Sequence, residues 1–190
     1  MTMSARDWRW KLGEAAERLR TRYDHIGRKT AAPFLAVVYP VEAQTAVLAE
    51  WHTQVEGLRP AIDVRSLDLL EITQGVVAEI GAKNVLDTLQ QPMPGSYPRN
   101  ELGTLWVKAI TEAVRTAFLS AAAKPAVSLE RCAALYPVMG PRELMQALWG
   151  GDQDAIRGPV LVLIPGTIVG SSTYEFLDIQ QEFMYRGDLL

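Results

Sequence analysis

A chain of 190 residues, 48% hydrophobic and 22% charged, is long enough to bury one substantial core and too short for two ordinary domains. Its formal net charge of -3 provides no field that would draw the whole molecule onto a phosphate backbone, and no apolar run approaches the ~20 residues of a membrane span. A single cysteine, Cys132, excludes an internal disulfide and suits a reducing cytosol, so the expected location is cytoplasmic.

Residues 1–30 read as a charged N-terminal helix on a single domain spanning 1–190. Met1 to Leu12 lacks the apolar core of a signal peptide. Ser4 or Asp7 can cap a helix whose Trp8, Leu12, Ala15, Ala16 and Leu19 keep helical spacing. Bases outnumber acids here, with Arg6, Arg9, Lys11, Arg18, Arg20, Arg22, Arg28 and Lys29 against Asp7, Glu14, Glu17 and Asp24. The two signs interleave, so the segment is read as a solvated helix face, with DNA contact as the rival.

Gly27 to Pro33 forms a turn into a strand, Phe34 to Tyr39, which is apolar almost without alternation. That pattern suits a strand covered on both faces in a parallel sheet. Pro40 stops it. A helix follows from about Glu42, with Val47, Trp51, Val55 and Leu58 on one face, weakened at Gly57 and ended by Pro60. A short strand at Ala61 to Val64 then leads to a helix capped by Asp68, with the stripe Leu69, Ile72, Val76 and Ile80, closed at Gly81.

Asn84 to Gln91 predicts a short helix, and Gln91 to Pro98 is the clearest loop. Arg99 to Ala123 is the longest helical pattern, with Leu102, Trp106, Ile110, Ala113 and Ala117 inside. Ala126 to Leu135 predicts a further core strand that Glu130 and Arg131 interrupt, with Cys132 a buried, inert thiol. Gly140-Pro141 opens a helix with proline at its tolerated first position. Pro159 to Ile164 is the most convincing buried strand. Strands separated by helices imply right-handed crossovers, hence an α/β fold: a parallel or mostly parallel sheet flanked by helices, Rossmann-like without a P-loop.

In such folds ligands sit beyond the carboxyl ends of the strands. Three exits carry proline, at Tyr39-Pro40, Tyr136-Pro137 and Ile164-Pro165. Proline removes a backbone donor, which makes these exits poor phosphate nests. Gly166 to Ser172 follows a strand but has serine where a P-loop needs lysine, and is read as a strand-to-loop turn. No Gly-x-Ser-x-Gly elbow occurs, and His25 and His52 read as surface or boundary residues. Asp152 and Asp154 read as a solvated turn, and neither a metal nor another cofactor is expected. Trp51, Trp106 and Trp149 read as core, while Trp8 and Trp10 dock the first helix or anchor a partner.

The order Phe34 to Pro40, then Leu135-Tyr136-Pro137 with Leu144 and Leu148, then Val162-Leu163-Ile164-Pro165-Gly166 and the tail Phe183-Met184-Tyr185-Arg186 resembles the BrxB family of bacterial BREX phage-defence systems. Where that family tends to carry an acid before the second glycine of its Pro-Gly loop, this chain has Val169, so a role for that carboxylate does not transfer. The resemblance implies a component of a multi-protein defence system that docks a PglZ-like partner and other defence subunits, without catalytic activity of its own, and that meets DNA only indirectly. On this reading Tyr39, Pro40, Tyr136, Pro137, Pro165, Gly166 and Tyr174 form the contact surface. The alternative is a small-molecule or nucleotide-binding domain with a degenerate site at the carboxyl edge of the sheet.

Overall fold

The computed structural model describes residues 7–27, 30–92, 95, 97–121, 124–151 and 153–190. Ser4, Arg6, Arg28, Lys29 and Asp152, as well as Met93, Pro94 and Ser96 of the expected loop, lie outside the described residues. Helix α1 (Asp7–Arg22) precedes β1 (Phe34–Tyr39), α2 (Gln44–Leu58), β2 (Ile62–Asp68), α3 (Leu69–Ile80), α4 (Ala82–Gln90), α5 (Pro98–Ser120), β3 (Lys124–Glu130) and α6 (Pro141–Gly150). The chain ends with β4 (Val160–Gly170), β5 (Thr173–Phe176), β6 (Gln180–Phe183) and β7 (Gly187–Leu189).

The sheet order is β2-β3-β4-β1-β7, with every neighbour in this path parallel. Side chains alternate across a strand, so an unbroken apolar run needs an apolar cover on each face. The two cores meet that requirement. Phe34, Ala36 and Val38 of β1 join Val160, Val162 and Ile164 of β4 on the face packed by α3, α5 and α6. Leu35, Val37 and Tyr39 join Leu161 and Leu163 on the face packed by α1 and α2 through Leu12, Leu19, Val47 and Trp51. The fold is therefore a mostly parallel, Rossmann-like α/β sheet.

Local signals placed the helices well. Asp68 caps α3 by accepting from Leu70 N–H at 2.9 Å, and Gly81 ends it at a positive φ of 92°. The solvated reading of α1 holds at Arg9, Glu17, Arg20 and Arg22, which are exposed, and needs correction at Lys11 and Arg18. Trp8 is buried while Trp10 is exposed, Lys11 is buried and donates to the Val38 carbonyl at 3.1 Å, and Arg18 bridges Glu14 and Asp188 at 2.8 Å each. Two bases of this helix therefore fasten it to the sheet.

Strand boundaries are where the sequence reading fails. β2 runs to Asp68, well beyond Val64. β3 stops at Glu130, and Cys132–Leu135 is a 3-10 turn leading into Tyr136-Pro137. β4 does not stop at Pro165: it continues to Gly170 and pairs antiparallel with β5, which pairs with β6. Pro165 falls where the ladder to β1 ends, at Tyr39, and the ladder to β5 begins, at Gly166, so its missing donor interrupts neither ladder. Of the three expected proline-closed exits, β1 alone remains.

Candidate functional site

The carboxyl edge of the sheet carries two buried glutamates, each 5% exposed. Glu130 is the last residue of β3. In the parallel register Ser66 lies beside Ser128 and Asp68 beside Glu130. Ser128 and Glu130 share the face of Ala126, which belongs to the α2-side core. From α2, His52 reaches Glu130 with Nε2 2.9 Å from Oε2. The Ser128 hydroxyl donates to Oε1 at 3.0 Å and lies 3.1 Å from the Ser66 hydroxyl. The result is a continuous chain from Ser66 through Ser128 and Glu130 to an imidazole whose side chain is 55% exposed.

The second glutamate, Glu182, comes from β6. Tyr174 donates its phenolic hydrogen to Oε2 at 2.7 Å, Gln180 donates to Oε1 at 3.0 Å, and the Arg142 backbone N–H donates to Oε2 at 3.0 Å. Helix α6 has no capping side chain of its own, because Gly140 precedes Pro141. Glu182 supplies that cap from 40 residues away. Gly140 makes the approach possible, since a Cβ there would lie 1.7 Å from Glu182 Oε1.

Between the two carboxylates lies Cys132, fully buried. Burial first, then Glu182 and Glu130, push its thiol well above the ordinary range, which keeps it protonated and a poor nucleophile. Burial first raises Tyr39 and Tyr174 in the same direction; Cys132 and Glu130 add to the shift at Tyr39, and Glu182 adds to it at Tyr174. The Ser128 hydroxyl meets the Glu130 oxygen opposite the one that holds His52, and Ser66 meets only Ser128, so the carboxylate stands between the imidazole and the serine pair. Among the described residues no group of three or more His, Cys, Asp or Glu gathers to hold a metal ion.

The expected contact residues separate. Tyr39, Pro165, Gly166 and Tyr174 are buried, Pro40 is half-buried, and Tyr136 and Pro137 are exposed. The buried four are core or strand-pairing residues, which corrects their reading as surface. Tyr39 directs its hydroxyl to Gln44 at 3.4 Å. Gly166, at φ 150°, lies so close to β5 that a Cβ would fall 1.9 Å from the Glu175 carbonyl oxygen. Its lack of a side chain serves strand pairing, not a phosphate nest. On the hairpin Val169, Ile179 and Phe183 are exposed, as is Tyr136 before α6, while other exposed apolar side chains, Trp10, Leu86, Tyr97 and Leu119 among them, lie on the helices and loops.

Sequence reasoning missed the pairing of His52 with Glu130 and the cap from Glu182. A signal for the first was present in the alternation of Ser128 and Glu130 along an otherwise apolar strand. A groove of about 760 Å³ also runs along the outer edge of β2 between α2 and α5, with His52 and Ser66 in its wall.

Fold and edge together define a Rossmann-like α/β domain whose carboxyl edge is filled by its own C-terminal hairpin. No protein-family model, curated protein or solved structure matches this chain. No helix among the described residues is long and apolar enough to cross a membrane.

Proposed function

We propose that this chain is a non-catalytic interaction subunit that docks a larger protein through the surface built by the C-terminal hairpin and the turn before α6. The observation that carries this reading is the hairpin itself. β4 leaves the parallel sheet and forms a three-stranded antiparallel extension with β5 and β6. The Glu182 cap fixes the extension to α6. Ile179 is 63% exposed, Phe183 52% and Tyr136 41%. Large apolar side chains held on a rigid support suit a binding surface, because little ordering entropy is lost when a partner covers them.

The resemblance to the BrxB family supports a PglZ-like protein as that partner, within a phage-defence assembly. The state of the edge agrees with a docking role. Its cysteine is held as a thiol, its imidazole is bonded to a carboxylate, and the glycine after Pro165 is packed against a strand.

The test is co-purification of the full chain with the neighbouring defence proteins, repeated with Ile179→Asp and Phe183→Asp. The wild-type chain is expected to retain the PglZ-like protein, and either variant to lose it while keeping its thermal melt. Recovery of chaperones alone by the wild-type chain, or retention of the partner by both variants, rejects the reading. Thermal shift with ATP and GTP examines the rival: a nucleotide at ~100 times its dissociation constant would add about 2.7 kcal/mol to stability.

A further inference from the structure

The two rims of the parallel sheet are unlike. β7, at one rim, is three residues long, and its Asp188 is bonded by Arg18 of α1. β2, at the other, has seven residues in unbroken register with β3, and no strand among the described residues pairs with its outer side. A strand this long with no strand against its outer side is a template for another strand unless something covers it. What lies over it is the groove between α2 and α5, whose α5 wall is made of small side chains, Ala109, Ala113, Thr116 and Ser120. Glu112 also lines this wall, and Arg65 of β2 donates to the Ser120 carbonyl at 3.2 Å.

The charges on β2 select the occupant. Asp63 and Arg65 point to the α5 side, two residues apart, and form an ion pair at 2.8 Å. If a second copy added its own β2 antiparallel about a twofold axis, residue i would face residue j of the other copy with i and j of the same parity, so the axis must pass through a residue. An axis at position 63 sets Asp63 against Asp63, and an axis at 65 sets Arg65 against Arg65; like charges directly opposite are unfavourable. An axis at Val64 sets Asp63 of each copy against Arg65 of the other and places Val64 against Val64. That register alone joins opposite charges twice and keeps the apolar position apolar.

We infer that β2 is the interface of a homodimer, formed by antiparallel pairing of β2 with β2 of a second copy about Val64, so that two sheets become one. Asp63 and Arg65 of each chain then alternate in a ladder of four charges across the junction. This surface lies on the far rim from β7 and is separate from the hairpin proposed to dock the larger partner.

Analytical ultracentrifugation of the full chain over a concentration series reads the dimer directly. Asp63→Arg and Arg65→Asp each replace two attractive cross-strand pairs with two repulsive ones, and each is expected to raise the dimer dissociation constant at least about tenfold. The double reversal D63R/R65D regenerates complementary charges and is expected to return the constant to near the wild-type value. Circular dichroism shows whether each variant is folded. Should a reversal fail to fold, Asp63→Cys and Arg65→Cys replace it, with buried Cys132 silent. Oxidation joins these two chains in a mixture and does not join either to itself, because the same position in two copies is diagonal at this register. A wild-type chain that sediments as a monomer throughout, a dimer indifferent to both single reversals, a double reversal that stays monomeric, or absence of the mixed cross-link overturns the inference.

Discussion

Glu130 and Glu182 are equally buried at the same edge of the sheet, yet they are held differently. Glu182 accepts from a phenol, a side-chain amide and a backbone N–H, all neutral donors, and every one of them joins the hairpin to itself or to α6. Glu130 has a serine on one oxygen and a half-exposed imidazole on the other. The first carboxylate meets the surface only through the neutral amide of Gln180, whereas the second meets it through an imidazole. An enclosed charge is justified by the elements it joins, while a charge with an outlet can change at the surface without disturbing the core.

The largest expected effects come from breaking the enclosed carboxylate. Gly140→Ala forces Glu182 off the α6 N-terminus, and Glu182→Ala removes the carboxylate. Each gives up a helix cap and leaves the buried Tyr174 hydroxyl without its acceptor, a loss of about 3 kcal/mol in urea unfolding. Because both act on one contact, the double variant is expected to lose far less than the sum, and additive losses would show that Gly140 and Glu182 act separately.

Glu130→Ala sharpens the contrast from the other side. The buried Ser128 hydroxyl loses its acceptor but keeps Ser66, so about 2 kcal/mol is expected by the same measurement. His52→Ala should cost less than about 1 kcal/mol, since the imidazole is half in water. A cost for His52→Ala equal to that of Glu130→Ala would mean that the outlet is not one.

The smallest effect concerns a hydroxyl outside both clusters. Tyr23 donates to the Pro125 carbonyl at 2.6 Å, and burial, then Asp24, raises its pKa from 10.0 to about 12. The folded form holds its proton more tightly than the unfolded chain does. This contribution is therefore complete below pH 10.0 and is lost as the pH rises through about 12. Tyr39 and Tyr174 are shifted in the same direction, so the wild-type chain is expected to weaken in alkali, and Tyr23→Phe to weaken slightly less steeply across that window when unfolding is followed by circular dichroism.

Most of the scaffold was legible. Phe34 to Tyr39 and Val160 to Ile164 announced strands covered twice, and Asp68, Gly81 and Pro141 marked helix ends, because capping and periodicity are local properties of the chain. The candidate edge was less legible. Glu130 looked like an interruption of a strand, and His52 like a surface residue, since nothing within a few positions of either names the other.

From the amino acids alone came the doubly covered parallel sheet and its helices, through the spacing of apolar side chains and the placing of glycine, proline and aspartate. Tertiary structure alone decided that β4 runs on past Pro165, that β5, β6 and β7 form at all, that Glu182 caps a helix 40 residues earlier in the chain, and that β2 is left at a rim. The physical reason is the range of the interactions. Burial periodicity is encoded within a few residues, whereas short polar strands and buried carboxylates owe their position to ladders and donors brought together by the rest of the fold.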